Sequence, residues 1–209
     1  MVENTVVQGS LFIVAAPSGA GKTSLVKALV DSLPSLVVSL STTTRPQRPG
    51  EVDGVDYHFV DKSVFEIEAA AGRFLEYAQV FDNYYGTSRD IVQAHLDQGL
   101  DVILEIDWQG ARQVRKLLPD CRSIYILPPS RPVLEQRLRG RGQDDEAQIK
   151  RRMSDAVSEM IHYDEFDYVI VNDDFEQSAR ELEAVFVGRR LEIAVQARRQ
   201  RDLIAQLLS

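Results

Sequence analysis

The stretch Ala16-Pro17-Ser18-Gly19-Ala20-Gly21-Lys22-Thr23 constrains this chain more than any other. The apolar run Leu11 to Ala15 leads into it, and Leu25, Val26, Leu29 and Val30 follow at helical spacing. Strand, Gly-rich loop, Lys-Thr pair and helix form the setting of a phosphate-binding P-loop. Small residues let successive backbone N–H groups turn inward on a polyphosphate. The helix N-terminus adds free donors and its positive dipole end. Lys22 is then placed to neutralise β- and γ-phosphate oxygens, and the Thr23 hydroxyl to sit on Mg²⁺. The usual pattern begins with Gly where this chain has Ala16, so that position is expected to avoid positive φ. The competing reading is a Gly-rich turn opening an ordinary helix. The flanking strand, Gly19, Gly21 and the Lys-Thr pair together argue against it.

The rest of the chain reads as alternating elements. Residues 37–41 read as a second strand that runs into a Pro- and Gly-bounded loop, 42–50. A short strand is expected at 57–60, a helix from Lys62 to Ala71 and a strand from Phe74 to Val80. Asn83 to Ser88 reads as a turn, with Ser88 capping a helix Arg89 to Gln98. The piece from 42 to 88 thus looks like a small insertion with its own little sheet. Beyond it, strands at 100–107, 123–127 and 168–171 alternate with helices at 109–118, 131–139 and 146–163. A helical tail, 175–208, is expected to break near Gly188. Apolar strands alternating with helices predict an α/β fold with a parallel sheet flanked by helices.

Composition bounds the function. The chain has 209 residues and 44% hydrophobic content, enough for one well-cored domain. Its formal net charge of −8 argues against bulk nucleic-acid or anionic-membrane binding, though a P-loop is a local electropositive site. A single cysteine, Cys121, suits a reducing cytosol and reads as a buried small hydrophobe in or beside a strand. No secretory signal is evident, and no run approaches the roughly 18 apolar residues of a spanning helix. A cytoplasmic protein is expected.

Three further clusters carry chemistry. The strand ending Glu105-Ile106-Asp107 is where a carboxylate partner of a P-loop belongs, so Asp107 serves Mg²⁺ through water or contacts substrate; alternatively it caps the next helix. Arg137, Arg139 and Arg141 are punctuated by Gly140 and Gly142, with Arg151 and Arg152 following. They suit a lid over transferring phosphoryl groups, or a solvated basic turn paired with Asp144, Asp145 and Glu146. In the insertion, Ser41, Arg45, Arg48, Tyr57, Glu76, Tyr85 and Thr87 could hold a second phosphate-bearing ligand. Spacing alone, however, makes Glu76 a plain solvent-facing strand residue.

With these stretches in view the chain resembles guanylate kinase over nearly its whole length. The resemblance rests on the P-loop, on Ser41-Thr42-Thr43-Thr44-Arg45 with Arg48-Pro49-Gly50-Glu51, and on Asn83-Tyr84-Tyr85-Gly86-Thr87. It extends through Ile106-Asp107-Trp108-Gln109-Gly110, residues 137–142 and Val171-Asn172-Asp173-Asp174. It implies one domain over 1–209, with a core at 8–41, 89–136 and 164–209, a GMP-binding subdomain at 42–88 and a lid at 137–163. The implied reaction is ATP + GMP to ADP + GDP, with dGMP a second acceptor and Mg²⁺ the cofactor. By resemblance, Arg45, Arg48, Tyr57 and Tyr85 grip the GMP phosphate. Ser41 and Glu76 read the guanine, with Thr87 and Asp107 in the same site. Residues Ala16 to Thr23 hold ATP, Asn172 lies at the adenine, and Lys22, Arg137, Arg141 and Arg152 act on the phosphates. Thr23 and Asp107 serve the metal. Scaffold domains of similar sequence bind phosphorylated partners without catalysis, but Lys22, Thr23 and Asp107 are all present here. The tail's apolar residues suit either core or interface, and the reading leans to a homo-oligomer.

Overall fold

The protein is described by a computed structural model covering residues 7–80, 82–140 and 145–209. Arg141 therefore lies outside the described residues. In chain order the strands are β1 (Leu11–Ala15), β2 (Leu36–Val38), β3 (Ser41–Thr43), β4 (His58–Phe59), β5 (Phe74–Val80), β6 (Asn83–Ser88), β7 (Asp101–Glu105), β8 (Arg122–Leu127) and β9 (Tyr168–Val171). The helices are α1 (Lys22–Ser32), α2 (Lys62–Ala70), α3 (Arg89–Asp97), α4 (Trp108–Leu117), α5 (Arg131–Arg139), α6 (Glu146–Met160), α7 (Phe175–Leu191), α8 (Ile193–Arg199) and α9 (Arg201–Leu208).

A five-stranded sheet in the order β2-β7-β1-β8-β9 forms the centre, and all its pairs are parallel. Parallel strands need crossover helices on both faces, which is why β1 is apolar at every position. Phe12 and Val14 face one layer, where α1 and α7 bring Leu25, Leu29, Leu182 and Phe186. Leu11 and Ile13 face the other, with Val92 and Leu96 of α3, Val114 of α4, and Cys121 just before β8. The sheet order places β1 between β7 and β8, so the direction of winding reverses there. That is where α/β sheets open a ligand crevice at their carboxyl ends. A second, four-stranded sheet, β4-β3-β6-β5, covers the insertion. Among the described residues no helix is long and apolar enough to cross a membrane.

Several sequence expectations need correcting. The strand expected at 37–41 is two strands in different sheets. Ser39 N–H still bonds to Ile103 O at 2.9 Å, and the chain then crosses into the second sheet at Ser41. The turn expected at Asn83 to Ser88 is the strand β6, paired with both β3 and β5. Gly86 suggested a turn, yet a Cβ there would meet the Phe65 and Phe74 rings at 3.0–3.1 Å. It is glycine for space within a strand. β7 stops at Glu105, two residues before Asp107. The tail does not break at Gly188 either. α7 runs on to Leu191, and the break comes at Glu192, which adopts φ −57° and ψ 140°.

Candidate active site

The loop between β1 and α1 carries positive φ at Gly19 (91°) and Gly21 (95°), while Ala16 avoids it, as its side chain requires. Gly21 is glycine for a second reason. A Cβ there would lie 2.3 Å from Asn172 Nδ2. Asn172 is buried beneath the loop and donates that amide to Ala20 O at 2.7 Å. The residue expected at the adenine thus braces the phosphate loop from within, and it does not line the cleft.

A cleft of about 410 Å³ opens at the carboxyl ends of β1 and β7. One wall is the loop, with Lys22 and Thr23 at the head of α1. The second sheet contributes Ser41, Tyr57, Glu76 and Tyr85. The β7–α4 junction contributes Glu105 and Asp107, and α6 contributes Arg152, Asp155 and Glu159. The structure therefore brings Ala16, Pro17, Ser18, Gly19, Gly21, Lys22, Thr23, Ser41, Tyr57, Glu76, Tyr85, Asp107 and Arg152 to one cavity.

Glu76 departs most from its spacing-based reading, because it is only 5% exposed rather than solvent-facing. Thr87, opposite it on β6, donates its hydroxyl to Glu76 Oε1 at 2.5 Å. The other carboxylate oxygen lies against the first turn of α4, where a Cβ on Gly110 would stand 2.5 Å from Oε2. Burial raises the Glu76 pKa to about 7; the Thr87 bond opposes this and the Asp107 charge adds to it. Asp107 caps α4, accepting from Gly110 N–H at 2.9 Å, so the capping alternative holds while the residue still lines the cleft. Lys22 Nζ stands 3.6 Å from Glu105 Oε2. On α6, burial raises Glu159 to about 7; the Asp107 and Asp155 charges push the same way, and Lys22 and the Ser18 N–H oppose them.

The other expected site residues lie outside the cavity lining. Arg45 is held by Glu51 at 2.7 Å and sits 5.4 Å from the Tyr57 ring centroid, and Tyr57 packs edge-on to Tyr85 at 6.1 Å. Arg45 is thus one layer behind the tyrosines that line the cleft. Arg48 is exposed; its backbone N–H is engaged by Glu51 Oε2 at 2.8 Å and its carbonyl accepts from Glu51 N–H at 3.1 Å. Thr87 and Ala20 are buried behind the lining. Arg137 donates Nη2 to Asn172 O at 3.0 Å, joining α5 to the residue that braces the loop.

Sequence reasoning missed Glu105, Glu51, Gly110, Asp155 and Glu159. Glu105 was legible as an acid closing an apolar strand. Asp155 and Glu159 were legible as acids three and seven residues beyond Arg152, hence on its helix face. The roles of Glu51 and Gly110 depend on contacts that no local pattern shows. As for metal, no group of three or more His, Cys, Asp or Glu among the described residues could hold an ion. Mg²⁺ keeps several waters and takes one or two carboxylates plus substrate phosphates. The Thr23 hydroxyl with the Asp107 and Glu105 carboxylates fits that mode.

The family model described as Guanylate kinase matches residues 8–188. The chain is 61% identical to the guanylate kinase of Methylococcus capsulatus over 201 residues, 96% of this chain and 98% of that one. It is 58% identical to the guanylate kinase of Nitrosococcus oceani over 202 residues, 97% and 100% of the two chains. The crystal structure of guanylate kinase from Anaplasma phagocytophilum superposes with a TM-score of 0.74 at 31% identity, covering 90% of this chain and 89% of that one.

Proposed function

The chain belongs to the guanylate kinase family, and from that premise we propose that its cleft holds ATP on the phosphate loop and GMP on the second sheet, end to end. Its activity is the ATP-dependent phosphorylation of GMP. The observation that carries the division of the cleft is Glu76, a buried carboxylate held by Thr87 in the cavity that also contains Lys22. Guanine presents its N1–H and C2 amino group side by side, both donors. An ionised carboxylate accepts at both oxygens and can take both. Adenine offers an N1 acceptor there instead, so the same carboxylate would face a lone pair.

The chemistry then needs little from the protein beyond positioning and charge. A GMP phosphate oxygen is already an anionic nucleophile, so no general base is required. Lys22 neutralises the transferring phosphoryl group, Arg152 approaches it from α6, and Arg137 and Arg141 belong to the same lid, 137–163. Arg45, with Arg48, anchors the GMP phosphate behind Tyr57 and Tyr85, and Glu51 keeps Arg45 extended toward them. Ser41, at the border of the subdomain 42–88, and Asp107, in the core, complete the guanine site. Thr23 and Asp107 would hold Mg²⁺, which would supply charge neutralisation to the phosphates. Asn172 serves ATP indirectly, through the shape of the loop. The cytoplasm, where both nucleotides are found, is the proposed location. Exposed Leu203, Leu207 and Leu208 on α9 support a homo-oligomer, which sedimentation would test.

An initial-rate screen of GMP, dGMP, AMP, UMP and ribose bisphosphate with ATP and Mg²⁺ tests the assignment. GMP and dGMP are expected to turn over, with AMP at least ~10²-fold less efficient, because two charge-assisted hydrogen bonds discriminate by several kcal/mol. Comparable rates with AMP or UMP would remove Glu76 as the guanine reader.

A further inference from the structure

The cleft-facing side of the second sheet carries two residues that the roles above leave unassigned, Ala78 and Val80. Along β5 the faces alternate. Tyr77 and Gln79 are exposed, whereas Glu76, Ala78 and Val80 line the cleft. Helix α2 covers the opposite face of the sheet, where Phe65 stacks on Phe74 at 4.5 Å and on Tyr84 at 5.4 Å. Strand pairing arranges the cleft face in rows. Glu76 stands opposite Thr87, and Thr87 opposite Ser41. Ala78 stands opposite Tyr85 in the next row, and Val80 opposite Asn83 in the row beyond. The first two rows are two residues apart, about 7 Å along β5. The first carries the carboxylate and hydroxyls of the guanine site, and the second carries the tyrosine of the phosphate site. A nucleotide that reaches both rows lies across β5 between them, where the side chain facing it from position 78 is a single methyl group. Alanine is not a favoured strand residue, and any larger side chain at this position would enter the cleft.

We propose that Ala78 is a specificity-determining residue: its methyl group is the floor on which the nucleoside of the acceptor lies between Glu76 and Tyr85, so the size of residue 78 sets which acceptors reach the guanine reader. This rests on the reading that the second sheet holds GMP. The two neighbours divide the work. Glu76 reads the edge of the base through hydrogen bonds, and Ala78 admits the body of the nucleoside by leaving it room. A steric contact of this kind is made equally in the ground state and the transition state, so its loss appears in KM and not in kcat. One methylene group in an apolar pocket changes selectivity by roughly 10–200-fold, and valine and leucine add two and three carbons to alanine.

The test is steady-state kinetics on Ala78→Val and Ala78→Leu with each nucleotide varied in turn, together with calorimetric titration of GMP alone. KM for GMP is expected to rise at least ~10-fold in the Val variant and at least ~30-fold in the Leu variant. The Kd for GMP should move in parallel, with kcat within about threefold and KM for ATP within about twofold of wild type. Gln79→Leu introduces the same side chain one residue along, on the exposed face of β5, and is expected to leave KM for GMP within about twofold. Circular dichroism and the nucleotide-free Tm report folding. Valine is favoured over alanine in strands and the added carbons enter an open cleft, so Tm should not fall. Ala78→Val gives the same reading at lower amplitude if the Leu variant does not fold. The proposal is overturned if KM for GMP stays within about threefold in both variants, or if Gln79→Leu is as damaging. It is also overturned if the effect disappears in a Tyr85→Ala background, where Ala78 would only be making room for that ring. A rise in KM for ATP with KM for GMP unmoved would overturn the division of the cleft itself, because the donor would then lie on the second sheet.

Discussion

At the residue scale, the proposed guanine contact requires Glu76 to be ionised, yet its burial opposes ionisation. The folded pKa is about 7 against an ordinary 4.5. Between those values the folded state binds more protons than the unfolded one. The resulting stabilisation is full below about 4.5 and is lost as pH rises through about 7, at most about 3 kcal/mol. Glu76→Gln removes this dependence. Its nucleotide-free Tm, relative to wild type, should therefore climb between pH 5 and pH 8; a constant offset would show that Glu76 titrates normally. Activity should move the other way. The Gln amide opposes one guanine donor, so kcat/KM for GMP at pH 8 should fall at least ~30-fold, a loss of about 2 kcal/mol, and the GMP-over-AMP ratio should narrow. An efficiency within threefold and an unmoved ratio would leave guanine to Ser41, Asp107 or backbone groups. For Lys22→Ala, kcat should drop by at least ~10²-fold with the circular dichroism spectrum intact. Retention of a third of wild-type turnover would take Lys22 out of the mechanism.

At the scale of elements, the first turn of α4 lies at the junction of the two proposed nucleotide sites. Asp107 caps it through Gly110 N–H, and the missing side chain of Gly110 makes room for Glu76. A methyl group at Gly110 would stand 2.5 Å from Glu76 Oε2, the oxygen that does not accept from Thr87, so the carboxylate would have to shift and its bond to Thr87 with it. Gly110→Ala should therefore raise KM for GMP about tenfold or more while KM for ATP stays within twofold. That split is measured by steady-state kinetics with each nucleotide varied in turn. Parallel rises in both constants would mean that α4 itself had moved. Helix propensity alone predicts the opposite sign for stability, because Ala in a helix is favoured over Gly by about 1 kcal/mol.

On the scale of the whole molecule, a buried carboxylate is one of the ties between the tail and the central sheet, beside the Arg122–Glu192 pair and the Phe12–Phe186 stack. Asp101, at the start of β7, is fully buried. It accepts from Ser10 N–H at 2.7 Å and from Arg190 Nε at 2.7 Å, with Arg199 Nη2 at 3.8 Å. One residue thus fastens β1, β7, α7 and α8. Removing one partner of a buried pair leaves the others uncompensated, at a cost of about 3–5 kcal/mol. Asp101→Ala should lower Tm by ~6–20 °C for a domain of this size. As a control, Asp90→Ala breaks the pair with Arg73, whose side chains are 64% and 68% exposed. It should cost no more than about 0.5 kcal/mol. Equal Tm losses in the two variants, by calorimetry, would refute the ranking.

The phosphate loop was legible in the sequence because everything it requires is contiguous: an apolar strand, glycines at the two positive-φ positions, Lys22, Thr23 and a helix. The parallel sheet was legible for a similar reason, since strands buried on both faces show as unbroken apolar runs. Helices α3 and α5 began where Ser88 and Ser130 cap them, a signal contained in a few residues. What only the tertiary structure decided concerns groups brought together from afar. Spacing read Glu76 as exposed, and only the pairing of β5 with β6 and the close approach of α4 bury it. Asn83 to Ser88 carried turn residues, yet two neighbouring strands claimed it, because strand pairing is a contact between segments and leaves no period in either alone. Asn172 braces a loop that lies about 150 positions earlier in the chain. Local physics selects backbone conformation, whereas burial, and with it the ionisation and role of each carboxylate, is a property of the assembled chain.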